Sequence, residues 1–533
     1  MKYDSVRIEF FTVLFDSETS FYDWVDLSDF VDDDKPITFS RGIMGNQLQD
    51  RTARAGKLTF SMTMDITDAY DLQVLSRFQT GAYIRVVIEH EGISFVKWFG
   101  KIIEILPLRD NLYNNKMRVT VRDYIHVLDT YLKDPQVVTN KDAADICEII
   151  FADLGLELND TTVEYNECSQ VFTTAFDTVT SKQTALGEIS KAIISELGYF
   201  YERGRTTGAD EDSNLTRVPK IGNYKFVIDG RDTRENREYR CFPDMSEQGF
   251  LLQENGDFLL QETGDKILLN ITECVQKFDV VQSVDYREVD DVNHVYVTVY
   301  PKRYGTSTQV LYSIAEPELV EAGDTLNITV SYKDPDNNAA SIVGASMVTP
   351  VATTDYTANS ASDGSGTNLT ANMSVVATYH AANVDYAITN TGATDFYVTK
   401  LQARGKPILV WDPVTVESKS SGRIEAVGEI EERVNMKMRR SAGFAQAIAD
   451  RIISQLSTPY KTVDKFTVIA NDSQRSLFMC MLLDIGDPID ITLPDANYNP
   501  TDYKFYINGL TWTGRRGVWQ VTFIPVAKEI VEI

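Results

Sequence analysis

The chain has 533 residues, with 78 acidic against 51 basic side chains and a formal net charge of −27. That length exceeds a single hydrophobic core and points to roughly three to four domains. The charge excludes a general nucleic-acid binder, which needs clustered Lys and Arg, and it excludes docking on anionic membranes. Abundant Tyr and Phe suit a β-rich protein.

Five cysteines (Cys147, Cys168, Cys241, Cys274 and Cys480) are scattered and never spaced as CxxC. Neither a disulfide framework nor a zinc site is indicated, and a reducing compartment at synthesis is expected. The opening Met1-Lys2-Tyr3-Asp4-Ser5 lacks the basic and apolar regions of a signal peptide. No apolar run is long enough for a transmembrane helix.

Val6 to Phe15 reads as a first strand. Ile37 to Gly42 is another, entering a loop that runs to Gly56. Leu58, Phe60, Met62 and Met64 then alternate with Thr59, Ser61 and Thr63, the period of a half-buried strand. Gly81 to Ile88, Phe95 to Leu106 and Lys116 to Asp123 complete a set of short strands that suggests a small barrel or sandwich over 1–134.

The character changes after Asp134-Pro135. A helix is expected from Asn140 as N-cap, with Ile146, Ile149, Ile150 and Leu154 on one face and Gly155 as its stop. A second spans Ser181 to Leu197, with Gly198 as cap. Strands at Tyr199–Tyr201 and Tyr224–Asp229 make 135–245 an α+β domain. Leu251–Phe258 is repeated as Leu259–Lys266, and the Asn-Gly-Asp and Thr-Gly-Asp turns predict stacked hairpins. These lead, over 246–310, into the clear alternation Val295, Val297, Val299. From 311 to 405 the chain is rich in Ser, Thr, Ala and Asn, and an inserted immunoglobulin-like or jelly-roll sandwich is expected. The last part, 406–533, carries a helix over 441–456 and then a strand from Thr462 to Ala470.

Leu483 to Pro525 then reads as a three-stranded meander, and it has an echo upstream. Gly81 stands 21 positions before Ile102, and Gly486 stands 21 before Ile507. Met117–Val121 falls where Trp519–Phe523 falls. Either two similar β-domains sit at the chain ends, or two unrelated meanders share a common form.

Motifs for chemistry are absent. There is no GxxxxGK[ST], no strand–GxGxxG–helix, and no nucleophile elbow, since Gly364-Ser365-Gly366 sits in a polar loop. His90, His126, His294 and His380 lack metal-ligand spacing and read as ordinary histidines. Asp334-Pro335-Asp336-Asn337-Asn338 lacks the Gly and Glu of a calcium loop and reads as a polar turn. Asp210-Glu211-Asp212 reads as a solvated loop. No catalytic, cofactor-binding or metal residue is assigned, no cofactor is expected, and the chain is read as a non-enzyme. A carboxylate pair for glycan or cell-wall hydrolysis is the rival of another class.

The order of features carries a resemblance. Trp24–Val31, Phe39-Ser40-Arg41-Gly42, Arg51–Phe60, Gly81–Val86 and Phe99–Ile102, then Ala445, Ala447, Pro459, Leu483–Asp487 and Ile507-Asn508-Gly509, together resemble the baseplate-hub or tail-tip (minor tail) proteins of tailed phages. The resemblance implies two similar β-barrel hub domains per chain and a homotrimeric ring of pseudo-sixfold symmetry. Such a ring joins a sixfold tail tube or distal tail protein to a threefold tip or fibre protein. It implies residence at the virion tail tip after synthesis in the host cytoplasm. DNA passes through the lumen only in transit, which gives the acidic balance a role. A distal-tail adaptor, or a component binding a host surface glycan or receptor through 311–405, is the alternative within the same particle.

Overall fold

A computed structural model describes residues 6–527, apart from 16–19, 33, 44, 46–47, 64–77, 91–92, 109–115, 130–135, 157–162, 167, 169, 178–183, 207–223, 231–248, 251–267, 270–280, 290–291, 338–341, 457–459 and 495–499. The expected mainly β class with an α+β part holds. Strands dominate, in several sheets, and helices are few.

The first strands are β1 (Val6–Phe15), β2 (Ser20–Asp26), β3 (Ile37–Gly42), β4 (Arg54–Thr63), β5 (Tyr83–His90), β6 (Ile93–Leu108) and β7 (Lys116–Asp123). Alternation does what it predicts in β4: Leu58, Phe60 and Met62 are wholly buried. The spatial order is β3-β4-β7-β6-β5-β1-β2.

Next come α1 (Ala143–Asp153), β8 (Val163–Asn166), α2 (Ala185–Glu196), β9 (Tyr199–Thr206) and β10 (Tyr224–Asp229). β10 pairs with both β8 and β9, and β9 also joins β6. Both helix ends differ from expectation. Asp142, not Asn140, caps α1, accepting a bond from the Asp145 amide at 2.8 Å. Asn140 is instead left-handed, with φ +55°. At the end of α2 the left-handed residue is Leu197 (φ +63°), not Gly198. Gly198 is needed for closeness: a Cβ there would lie 2.2 Å from the Asp229 carbonyl oxygen.

Two short strands, β11 (Gly249–Phe250) and β12 (Leu268–Leu269), pair with each other, and the expected hairpins between them lie outside the described residues. β13 (Ser283–Val289) and β14 (His294–Val299) follow. Then come β15 (Lys302–Tyr304), β16 (Gln309–Ser313), β17 (Glu318–Val320), β18 (Thr325–Ser331), β19 (Val343–Val348), β20 (Tyr356–Asn359), β21 (Met373–Tyr379), β22 (Asn383–Asn390) and β23 (Phe396–Val410). Five of these pair with the long β23, and β18-β22-β21 forms a second sheet. Between them lies a separate core that includes Leu311, Tyr332, Tyr386, Phe396 and Leu401.

β24 (Val414–Lys419), α3 (Ser421–Val427), β25 (Glu431–Met436) and α4 (Ala442–Leu456) build a small layer. β24 and β25 flank β14, and α4 covers the sheet through Ala445, Ile448, Ala449 and Ile452. The chain ends with β26 (Tyr460–Ile469), α5 (Gln474–Leu482), β27 (Pro488–Pro494), β28 (Pro500–Arg515) and β29 (Val518–Ala527). Sequence periodicity does not reveal α5. Leu477–Leu483 is an unbroken apolar run, which fits a buried helix and a buried strand equally well.

The echo between the chain ends is a repeat of topology. β13-β26-β29-β28-β27 repeats β3-β4-β7-β6-β5 strand for strand, in the same chain order and with every pairing antiparallel. Bulges coincide too: β6 shifts between Ile102 and Glu104, and β28 between Ile507 and Gly509. One detail differs from expectation. Ile102 faces Val121 whereas Ile507 faces Pro525, so Val121 matches Pro525 and not Phe523. The slip is two residues and so preserves the buried face, which is why alternation could not detect it. β28 also pairs with β3, which fuses the two units into one 15-stranded sheet. Among the described residues, strand pairing closes neither unit into a barrel.

Candidate assembly interface

The two units meet along a buried, closely approached pair of strands. β3 runs antiparallel to β28, from Gly42 opposite Gly509 to Ile37 opposite Gly514. The Ile43 amide extends the ladder to the Asn508 carbonyl at 2.8 Å. Phe39 and Trp512 stack across it, with centroids 5.8 Å apart and planes 11° from parallel. The backbones pass so closely at Gly42 (φ +119°) that a Cβ would lie 2.4 Å from the Asn508 oxygen and 2.6 Å from the Gly509 Cα.

Beside this ladder lies a buried charge cluster. Arg41 on β3 is 1% exposed. It donates to Asp484 at 2.7 Å and to the Glu202 carbonyl of β9 at 2.9 Å. Asp484 also accepts from the Gly204 amide at 2.9 Å, and Lys97 on β6 donates to the Leu483 carbonyl at 2.9 Å. Arg203 pairs with Asp487. The cluster thus ties the first unit, the α+β part and the second unit together. Burial alone would raise the Asp484 pKa, but Arg41, Lys97 and Arg203 outweigh it and hold the carboxyl well below the usual range. Close by, Asp123 accepts from the Gly56 amide at 2.6 Å. Burial pushes Asp123 up to about 7, and burial together with Asp123 pushes Glu202 up as well.

Arg41, Asp484 and Asp487 fall in stretches that carry the resemblance, but the sequence assigned no role to any residue of this cluster. The available signal was weak: two carboxylates, Asp484 and Asp487, in a turn between apolar runs, and an arginine just before a glycine.

The structure scatters the residues that had been considered for chemistry. His90 lies on β5, His126 is 4.0 Å from Asp129, and His380 bonds to Asp385 at 2.9 Å. His294 differs, being buried and lying between carboxylates. One ring nitrogen meets Glu429 and the other meets Glu417 at 3.2 Å. Donor atoms of His294, Glu429 and Glu431 all lie within 4.8 Å of one another, a donor set of the kind that takes a divalent cation. Arg433 pairs with Glu431 at 2.9 Å, however, and Lys419 with Glu417 at 3.6 Å, so protein cations already offset much of the charge. The bond from His294, then Lys419, holds the Glu417 carboxyl below its ordinary range. Asn293 positions Glu429: its amide donates to the Gly428 carbonyl at 2.7 Å and accepts from the Ile430 amide at 2.8 Å.

Asp334 accepts from the Asp336 amide at 2.9 Å, as a polar turn does. Gly364–Gly366 closes on Asn359, far from any strand-to-helix elbow. Asp210–Asp212, Cys241 and Cys274 lie outside the described residues. Burial raises the thiols of Cys147 and Cys480, and raises Cys168 to about 12. These three are unsuited to act as nucleophiles.

No family model matches the chain, and no curated protein matches it. Solved structures do. The 43 kDa tail protein of prophage MuSo2 from Shewanella oneidensis is 10% identical, with 99% of this chain and 100% of that one covered and a TM-score of 0.42. The tail protein from Neisseria meningitidis MC58 is 8% identical, with 98% and 97% covered and a TM-score of 0.42. A chain of the p2 virion baseplate in its activated conformation is 8% identical, with 96% of this chain and 90% of that one covered and a TM-score of 0.27. All three are described as tail or baseplate structures.

Proposed function

We propose that this chain is a structural, non-enzymatic hub protein at the distal end of a phage tail, working as a homotrimeric ring. The observation that carries this reading is the repeated five-strand unit, present twice in one chain and joined edge to edge. Three such chains present six alike units. That number suits a sixfold tube above, while the chain count suits a threefold tip or fibre below. The domain division follows: hub units in 1–134 and in 246–310 plus 406–533, the α+β part at 135–245, and the insertion at 311–405. The acidic balance fits a lumen through which DNA passes without sticking.

The test is light scattering with negative-stain imaging of the purified chain. Three copies in a ring of six lobes are expected. Six copies would favour the distal-tail adaptor. A monomer that cleaves peptidoglycan would sink the hub reading.

A second reading concerns the insertion. Its own core supports a module that works apart from the ring. Host-surface binding through 311–405 predicts that deleting it leaves tails assembled but unable to adsorb. Normal adsorption would reduce it to a spacer.

A further inference from the structure

The repeat leaves two strand edges in unequal circumstances. On β28, the segment just past the bulge has β29 on one side and β3 on the other. On β6, the matching segment from Glu104 to Leu108 has β7 on one side and, among the described residues, no strand on the other. The burial differs accordingly. Ile103 is 42% exposed, whereas its counterpart Asn508 is 3% exposed. Leu106 is 47% exposed.

The counterpart of β3 is β13. Thr38 faces Thr59 as Asp285 faces Lys465, at matching places in the two units. β3 is sandwiched between β4 and β28, whereas β13, among the described residues, pairs only with β26 and ends the sheet. Val281, Val284 and Tyr286 are 40%, 37% and 49% exposed. A strand edge left bare presents unpaired backbone N–H and C=O groups and is a template for another strand.

We propose that β13 of a second copy of this chain lies along the free edge of β6, antiparallel, repeating between chains the seam that β3 and β28 make within one. This rests on the ring reading and names the surface that builds it. The occupant is specified by continuity with the in-chain seam, because one chain carries both halves of the same contact. Such a contact is head-to-tail and propagates around an axis until it closes. The register is transferable. Ser40 faces Thr511 in the in-chain seam, so Arg287 of one copy faces Leu106 of the next. Two differences make the seam between copies the weaker one. Pro107 stands where Trp512 stands and has no N–H to give. Glu104 and Val289 stand where Gly509 and Gly42 allow the closest approach.

The test is a Leu106→Cys/Arg287→Cys double variant, oxidised and run on a non-reducing gel beside light scattering of the same sample. Facing strand positions bring Cα atoms within disulfide range. Most chains should appear as linked multimers. The single variants, and a register-offset Leu106→Cys/Ser283→Cys pair, should remain single chains on the gel. Assembled chains that do not link overturn this seam and leave the ring standing. Chains that stay single at every concentration overturn both. If the double variant does not fold, hydrogen exchange of the unaltered chain decides. Amides in 103–108 and 283–289 should slow at least tenfold on assembly, and unchanged rates in an assembled sample overturn the seam.

Discussion

The amides of Gly81 and Gly486 donate to the carbonyls of Ile102 and Ile507, each at 2.7 Å. Both glycines are left-handed, with φ +88° and +84°. The return bonds match as well, from the Ile102 amide to Ala82 at 2.9 Å and from the Ile507 amide to Asp487 at 3.0 Å. Two turns at opposite ends of the chain thus share geometry to the hydrogen bond.

This equivalence predicts a graded glycine series. Nothing lies within 4 Å of a Cβ placed on Gly81. Gly81→Ala therefore suffers only the left-handed backbone penalty, about 1 kcal/mol. Gly42→Ala adds a clash with the backbone of Asn508 and Gly509. It should lose about 3 kcal/mol or more. Chemical denaturation of both variants checks the order, and equal losses would show that the seam yields freely.

Arg41 is the keystone of the buried charges. Arg41→Met leaves Asp484 buried without its main partner and should cost about 3–5 kcal/mol. Arg41→Met with Asp484→Asn should recover part of that loss, because the buried carboxylate that has lost Arg41 is then neutral, although Lys97, 4.0 Å away, loses its anionic neighbour. A double-mutant cycle measured by urea unfolding gives the coupling.

Asp484 and Asp123 respond to pH in opposite directions. The Asp484 pKa is depressed in the fold, so its contribution is present above the ordinary carboxylate range and is lost as pH falls below it. The Asp123 pKa is raised to about 7, so its contribution is greatest at low pH and is lost as pH rises through the interval up to that value. Asp123→Asn should flatten the fall in Tm between about pH 4 and pH 7, since unfolded Asp titrates near 4. A Tm profile with the same slope as the unaltered chain would contradict this.

Asn293 holds the backbone that presents Glu429. Asn293→Ala removes both amide bonds at a fully buried position. A loss of about 2 kcal/mol is expected, read by denaturation.

Much of the strand content was legible because one buried face enforces a period of two, as in Leu58, Phe60 and Met62, or in Val295, Val297 and Val299. The pairing of Gly81 with Gly486 was legible as well, because a left-handed turn leaves a glycine at a fixed distance from its strand. The register of the third strand was not, since a two-residue slip leaves the same face buried. Helix α5 was hidden for a related reason: an apolar run with no polar side has no period to read.

By itself the sequence determined the β-rich class and the lack of any recognised catalytic motif, and it raised the chain-end repeat as one of two readings, because these follow from local spacing and side-chain type. Only the tertiary structure decided that the repeat is a full five-strand topology, and that β3 crosses from one unit to the other. It alone brought Arg41, Glu202 and Asp484 together, residues 161 and 443 positions apart along the two bonds that Arg41 makes. Contacts of that length depend on how whole sheets meet, and no local pattern of residues encodes where two sheet edges join.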